Sequence, residues 1–325
     1  MKYFFAPMEG ITGYIYRNAF HQHFGHIDTY YTPFITPTQT RSMTSRELND
    51  TLPAHNRGMH VVPQILSNKV DDFLWAAEKM QELGYTEVNL NLGCPSKTVV
   101  SKKRGSGFLS ETVDLDLFLY QVSKRLERMG MKFSIKTRIG KEDPEEFEAL
   151  LDIYNQYPLE KLIIHPRVQT DYYNNHPNLD VFQMALENSK NPVCYNGDLF
   201  CVDDVKAFCE RFPQVDTLML GRGLLANPAL PAMVEDEAYE GLSKEKFHAF
   251  HDTLLSEYCQ VLSGDRNALF KMKELWFYMG DVFVDGKKYV KKIRKADKMR
   301  DYEAAVSAIF AECEIAEKPV FTSWR

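Results

Sequence analysis

Short runs of β-type residues recur eight times along the chain, at 3–6, 29–32, 61–65, 87–92, 133–137, 161–165, 192–195 and 217–220, mostly alternating with helix-length stretches. In those stretches apolar residues return at the i, i+3, i+4 spacing of a helix face. Phe73, Ala76, Ala77, Met80 and Leu83 make one face, and Leu115, Leu117, Phe118, Val122 and Leu126 another. Asp143-Pro144-Glu145-Glu146 suits a helix start: a capping carboxylate, a Pro where no N–H is needed, then acids near the positive end of the dipole. Eight strand–helix units predict a (β/α)₈ TIM barrel. An open doubly wound sheet alternates in the same way, but no Gly-x-Gly-x-x-Gly follows the first run, which weakens its dinucleotide-binding form.

The pattern changes after about residue 235. From Ser243 onward the sequence reads as helices alone, with His248, Leu254, Leu255 and Tyr258 on one face and Tyr302, Ala305, Ile309 and Cys313 on another. This predicts a barrel domain over 1–238 and a small helical bundle over 239–325. A barrel takes roughly 250 residues, so a chain of 325 has room for both.

Composition excludes several classes. The net charge of -6 argues against wrapping duplex nucleic acid with the whole surface, while leaving room for a local basic patch. Cys94, Cys194, Cys201, Cys209, Cys259 and Cys313 include no C-x-x-C pair, so neither a zinc knuckle nor a redox pair is expected. The opening Lys2-Tyr3-Phe4-Phe5-Ala6-Pro7 lacks a signal-peptide pattern, and no apolar run is long enough to span a bilayer. A reducing, cytoplasmic setting is expected.

Polar residues gather at the predicted strand ends. Pro7-Met8-Glu9 ends the first strand, Gln64 the third, Asn91 and Cys94 the fourth, and Lys136 and Arg138 the fifth. His165 and Arg167 end the sixth, Asn196-Gly197-Asp198 the seventh and Gly221-Arg222-Gly223 the eighth. Barrel active sites are built at that rim from several strands at once. The loops after strands seven and eight often hold a phosphate. Gly197, Gly221 and Gly223 allow close backbone approach and Arg222 offers paired donors, although the same glycines would serve simple tight turns. With Lys136 pointing inward, a phosphorylated cofactor is the better reading. A Lys can stabilise the anionic N1–C2=O edge of a reduced flavin, and Gln64 can both donate to and accept from that ring.

These motifs together resemble the dihydrouridine synthases, flavin mononucleotide (FMN) enzymes acting on transfer RNA (tRNA). The carriers are Ala6-Pro7-Met8-Glu9-Gly10, Asn89-Leu90-Asn91-Leu92-Gly93-Cys94-Pro95-Ser96-Lys97-Thr98-Val99, Lys136-Thr137-Arg138-Ile139-Gly140, Ile164-His165-Pro166-Arg167, Asn196-Gly197-Asp198 and Gly221-Arg222-Gly223. The likeness covers nearly the whole chain, and among bacterial enzymes the motifs are closest to the C type. It implies that Pro7, Met8 and Glu9 line the flavin, and that Gln64, Lys136 and His165 hold its ring and ribityl chain. Asn196, Gly197, Asp198, Gly221 and Arg222 would hold the ribityl chain and phosphate. Cys94 would be the catalytic acid, Asn91, Arg138 and Arg167 would meet the uridine, and the loop Ser101-Lys102-Lys103-Arg104-Gly105-Ser106-Gly107 would be mobile and close over the RNA. NADPH or NADH is implied as reductant, and no metal is expected. Gly13, Phe108 and Val168 depart from the common pattern, outside the flavin set.

The chemistry fits a thiol. Reducing the C5=C6 bond of uridine requires a hydride at C6 and a proton at C5. A free Cys has a pKa of ~8.5, so it is protonated and able to donate at neutral pH. Most lone cysteines are buried small hydrophobes; Gly93 and Pro95 around Cys94 favour a fixed loop instead. A base in folded RNA must be flipped out to reach such a rim. Lys287, Lys288, Lys291, Lys292, Arg294, Lys295, Lys298 and Arg300, opposed locally by Asp297, offer phosphate contacts in the helical tail, and Tyr289 among them could stack or hydrogen-bond. The substrate is expected to be tRNA or, alternatively, ribosomal RNA, and the protein a monomer. Rival readings are a flavin barrel acting on a free pyrimidine, as dihydroorotate dehydrogenases do, an RNA-binding protein without activity, and a metal hydrolase. The last lacks a His-x-His pair or a dense carboxylate set on the rim.

Overall fold

The computed structural model describes residues 1–38, 40–236 and 238–321. They fall into two compact units: Met1–Gly10, Asp28–Gly197 and Phe212–Met219 in the first, and Ile11–Ile27, Asp198–Arg211 and Leu220–Arg325 in the second. Positions 322–325, the end of the expected helical bundle, lie outside the described residues.

The first unit is a parallel barrel. Its strands are β1 (Lys2–Phe5), β2 (Thr29–Tyr31), β3 (Val61–Val62), β4 (Gln64–Ile65), β5 (Glu87–Leu92), β6 (Lys132–Gly140), β7 (Lys161–Val168), β8 (Val193–Tyr195) and β9 (Thr217–Leu220), whose final residue belongs to the second unit. They neighbour one another in the order β3-β2-β1-β9-β8-β7-β6-β5-β4. The two ends of that order, β3 and β4, are consecutive pieces of one stretch divided by Pro63, so the sheet closes on itself. Pro63 has no N–H to give, but its carbonyl accepts from Asn89 N at 2.9 Å, and the following Gln64 N donates to Thr32 Oγ1 at 3.1 Å. All eight predicted runs are therefore present, one of them broken in two. β6 and β7 run further than predicted, pairing as far as Gly140 and Val168 with an irregular step after Arg138.

Side chains alternate along these strands. Phe4, Ala6, Tyr31, Val62, Ile163, Cys194 and Met219 pack together as an apolar core. On β5 every residue is buried, with Glu87, Asn89 and Asn91 on one face and Val88, Leu90 and Leu92 on the other. Helices Val70–Glu82 and Thr112–Met129 cover the barrel with Phe73, Ala76, Ala77, Met80, Leu115, Phe118, Val122 and Leu126, as predicted. Phe73 meets Phe118 and Phe133 edge-on at 5.7 Å each, contacts worth ~0.5–1.5 kcal/mol beyond their burial. Leu117 is 54% exposed and Leu119 is buried in its stead: position 117 lies roughly 200° around the helix from Leu115. The helix predicted to open at Asp143 begins at Glu146. The Glu146 carboxylate accepts from the N–H groups of Lys141, Glu142 and Asp143 at 2.8–2.9 Å, which holds its pKa below the usual range despite burial.

The second unit is helical. The helices of the tail, Lys244–Val261, Asp265–Met279, Lys287–Lys295 and Met299–Glu312, share it with Tyr14–His23, which lies early in the chain. Tyr16 and Phe24 meet Phe250 edge-on, and His23 Nε2 bonds Thr253 Oγ1 at 2.8 Å. Helix Lys244–Val261 buries Phe247, Phe250, His251, Leu254 and Tyr258; the predicted face placed its early turn one residue late, at His248. Tyr302, Ala305, Ile309 and Cys313 are buried as predicted. Among the described residues, His248, His251 and Asp252 bring three metal-type donor atoms within 4.8 Å of one another, but both ring nitrogens of His251 are bonded, one to Asp252 and one to Tyr302. No helix among the described residues is long and apolar enough to cross a membrane.

Candidate active site

Cys94 lies two residues beyond β5, in a turn held from three directions. Asn91 Oδ1 accepts from Gly93 N at 3.0 Å and from Cys94 N at 2.9 Å. The Cys94 carbonyl accepts from Ser106 N at 3.1 Å and Ser106 Oγ at 2.9 Å. The Gly93 carbonyl accepts from Arg138 Nε at 3.0 Å. Gly105 allows this docking: its φ is +55°, and a Cβ there would lie 2.7 Å from the Cys94 carbonyl oxygen. The segment expected to move over RNA is thus docked in this structure. Gly105–Phe108 is buried, Lys102 and Lys103 are exposed, Arg104 is half-buried, and Lys103 pairs with Glu111 at 3.0 Å. Burial raises the Cys94 pKa and Glu9 adds to it, against the pull of the Ser96 backbone and of the Arg138 and Lys136 charges. The thiol is therefore protonated at neutral pH.

Two cations on β6 flank it. Burial first, then the neighbouring Arg138 charge, pull the Lys136 pKa down to about 8. Among the described residues no hydrogen-bond or ion-pair partner takes Lys136 Nζ. Arg138, expected to meet the substrate, gives all three nitrogens to backbone carbonyls: Nε to Gly93, Nη1 to Val168 at 2.7 Å and Nη2 to Tyr172 at 2.6 Å. Its guanidinium also lies 5.4 Å from the ring centre of Tyr173. His165 and Arg167, on β7, bond each other at 2.9 Å. A guanidinium only donates, so His165 accepts at Nε2 and carries its hydrogen on Nδ1. Arg167 Nε donates to the Asn175 carbonyl at 2.6 Å.

Other predicted residues belong to the first unit as well. Pro7 and Met8 are half-buried, and Glu9 pairs with Arg46. Gln64 is fully buried and bonded to Asn89 and Asn91. Asn196 Nδ2 donates to the Met219 carbonyl at 2.8 Å. A Cβ on Gly197 would lie 2.0 Å from the Tyr195 hydroxyl, so packing against its own chain already requires Gly there. In the second unit Asp198 and Arg222 form an ion pair at 2.6 Å, with Arg222 over the Phe200 ring at 5.1 Å, and Gly221 precedes the short helix Arg222–Ala226.

The cations of the tail cluster are exposed, and Tyr289 among them is not. Lys287, Lys288, Lys291, Lys292, Arg294 and Lys295 on helix Lys287–Lys295 are all exposed, as are Lys298 and Arg300. Tyr289, expected to stack on RNA or hydrogen-bond to it, is 3% exposed and bonds Glu312. With Ile293, one turn on, it anchors the helix and leaves the charges to solvent. Arg46 and Tyr173 were not foreseen from the sequence, nor was the hold of Ser106 on the Cys94 carbonyl. The only signal for Tyr173 was an aromatic pair, Tyr172-Tyr173, just past a strand end.

Comparison with known proteins identifies the family. The family described as "Dihydrouridine synthase (Dus)" matches residues 4–323. The chain is 27% identical to "tRNA-dihydrouridine synthase B" of Pasteurella multocida, over 80% of this chain and 75% of that one. It is 27% identical to "tRNA-dihydrouridine(16) synthase" of Pseudomonas putida, over 86% and 88%, and 25% identical to a "Probable tRNA-dihydrouridine synthase" of Staphylococcus aureus, over 91% and 86%. Morphinone reductase in complex with tetrahydroNAD superposes with a TM-score of 0.51 at 13% identity, over 76% of this chain and 90% of that one, a likeness of barrel fold alone. A family match over residues 4–323, nearly the whole length, shows that this chain belongs to the dihydrouridine synthase family.

Proposed function

We propose that this chain reduces uridines in tRNA to 5,6-dihydrouridine, with FMN as cofactor, NADPH or NADH as reductant, and Cys94 as the acid that protonates C5. One observation carries the reading: Lys136, an ammonium with no partner among the described residues, is the cross-strand partner of Asn91, whose Oδ1 holds the N–H groups of Gly93 and Cys94 and so sets the thiol beside it. An unpaired ammonium in a half-buried place fits an anion, so the residues present suit a flavin. When bound, the flavin supplies the hydride for C6 of the uracil ring. Lys136 would hold its N1–C2=O edge, with Gln64 and His165 beside the ring and the ribityl chain, and Pro7, Met8 and Glu9 along it. Family resemblance assigns Asn196, Gly197, Asp198, Gly221 and Arg222 to the ribityl chain and phosphate.

Cys94 gives its Sγ proton to C5 and regains one from solvent. The nearby Arg138 and Lys136 charges lower the cost of the thiolate left between those events. Asn91 keeps one amide hydrogen beyond its bond to Gln64, which the reading assigns to the uridine together with Arg138 and Arg167. Lys102, Lys103 and Arg104, and the exposed cations of helix Lys287–Lys295, are assigned to RNA phosphates, whose contacts offset the few kcal/mol of flipping the base. The names of the relatives support tRNA as the substrate. The test is to map dihydrouridine in total RNA from cells with and without the gene, and to record the visible spectrum of the purified protein. Loss of dihydrouridine at particular tRNA positions and a flavin spectrum are expected. An unchanged map, or a protein that neither carries nor takes up FMN, refutes the reading.

A further inference from the structure

The first unit contains a hydrogen-bonded chain that runs through β4, β5 and β6 and ends beneath Cys94. Asn91 Nδ2 donates to Gln64 Oε1 at 2.7 Å, and Gln64 Nε2 donates to Asn89 Oδ1 at 2.7 Å. Asn89 Nδ2 donates to Ser134 Oγ at 3.0 Å, and Ser134 Oγ donates to Glu87 Oε1 at 2.6 Å. Gln64, Asn89 and Ser134 are 0% exposed, Asn91 7% and Glu87 8%. Strand register explains the contacts, because Gln64 is the cross-strand partner of Asn89, and Asn89 of Ser134.

The direction of every bond in this chain follows from its upper end. The N–H groups of Gly93 and Cys94 can only donate, so the Asn91 atom facing them must be the oxygen. Asn91 then has only N–H to offer Gln64, which must present its oxygen and turn its own amide to Asn89. The same constraint passes to Ser134 and ends on Glu87, whose carboxylate accepts. No amide can flip without opposing two donors or two acceptors in a place where water cannot compensate.

We propose that Glu87, Ser134 and Asn89 are positioning residues: through Gln64 they hold Asn91 in the one orientation that fixes the Cys94 turn. This rests on the reading of Cys94 as the proton donor. The chain needs an acceptor at its lower end, not a charge, so Gln serves at position 87 and an apolar residue does not. Loss of the chain lets Asn91 rotate and releases the two N–H groups that set the turn, displacing the thiol from the substrate carbon. A displacement of about 1 Å costs up to ~100-fold in rate.

The test compares Ser134→Ala, Glu87→Leu and Glu87→Gln in the flavin-loaded protein. For Ser134→Ala and Glu87→Leu, kcat on tRNA should fall about 10- to 100-fold with KM and the flavin spectrum retained. The rate of Cys94 alkylation by iodoacetamide, followed on the Cys94 peptide by mass spectrometry, should change severalfold. Glu87→Gln should restore both values toward those of the parent. Should Glu87→Leu prove insoluble, Ser134→Ala, which removes a single oxygen, carries the test. Parental kcat and parental Cys94 alkylation in Ser134→Ala would overturn the proposal, and so would a loss in Glu87→Gln equal to that in Glu87→Leu. The alkylation rate needs neither RNA nor turnover, so it decides on the chain even if the parent protein fails to reduce uridine, an outcome that counts against the proposed function instead.

Discussion

Arg138→Lys isolates how much the Cys94 turn depends on one side chain. Arg138 is 1% exposed and ties three carbonyls, those of Gly93, Val168 and Tyr172, from three separate nitrogens. A Lys at this site retains the charge but has a single nitrogen, so at most one of those bonds is kept. Hydrogen bonds involving a charged group contribute ~1.5–3 kcal/mol each, which puts the gross loss of two at ~3–6 kcal/mol. Tyr172 is partly exposed, so water can reach its carbonyl and the lower end applies: about 3 kcal/mol. Urea unfolding measures this as a lower midpoint at unchanged slope. Because one of the three carbonyls is that of Gly93, alkylation of Cys94 should also quicken in the variant. A loss below ~1 kcal/mol would show that Arg138 is not a brace. A parental alkylation rate with raised KM for RNA would leave Arg138 with the substrate contact alone.

Other outcomes follow from the same geometry. Cys94→Ala should keep the fold and bound flavin and lose roughly 10²–10⁴-fold in uridine reduction; turnover at the parental rate refutes the acid assignment. Lys136 has a pKa pulled down to about 8 from 10.5, so between those pH values the unfolded chain binds more protons and stability rises with pH. Lys136→Met should therefore stabilise the flavin-free protein at pH 7, by an amount that shrinks as pH rises through this window, while weakening FMN binding. Thermal melts at several pH values and flavin titration check both. Changing Lys291, Lys292 and Lys295 together to Glu should weaken RNA binding, lower the salt slope of log affinity by about 2–3, and leave reduction of bound flavin by NADPH or NADH intact. Unchanged RNA affinity at moderate salt removes the helix from the interface.

Much of this molecule is legible from its chain. Alternation of strand and helix, inward periodicity and the placing of polar residues at strand ends are local properties. They located Gln64, Asn91, Cys94, Arg138 and Arg167 on or just beyond the right strands, whereas Lys136 and His165 lie mid-strand because β6 and β7 run further than predicted. A helix face is also local, yet its phase is easily misjudged where apolar residues are dense, as Leu117 and His248 show. Tyr289 went wrong for a related reason. Within a run of cations its ring looked available, whereas the helix needs an apolar foot every three to four residues, and Tyr289 and Ile293 supply it.

What the amino-acid order settled by itself is the kind of fold and the chemistry its rim can offer, since periodicity and side-chain type reside in each segment. Which of those groups are committed to one another was decided only on closure. Barrel register sets Gln64 against Asn89 and Asn89 against Ser134, turns Arg138 into a clasp on three backbone carbonyls, and leaves Lys136 without a mate among the described residues. Hydrogen-bond partners of this sort come from strands that are remote in the chain, and their pairing exists only once the sheet has joined its own ends.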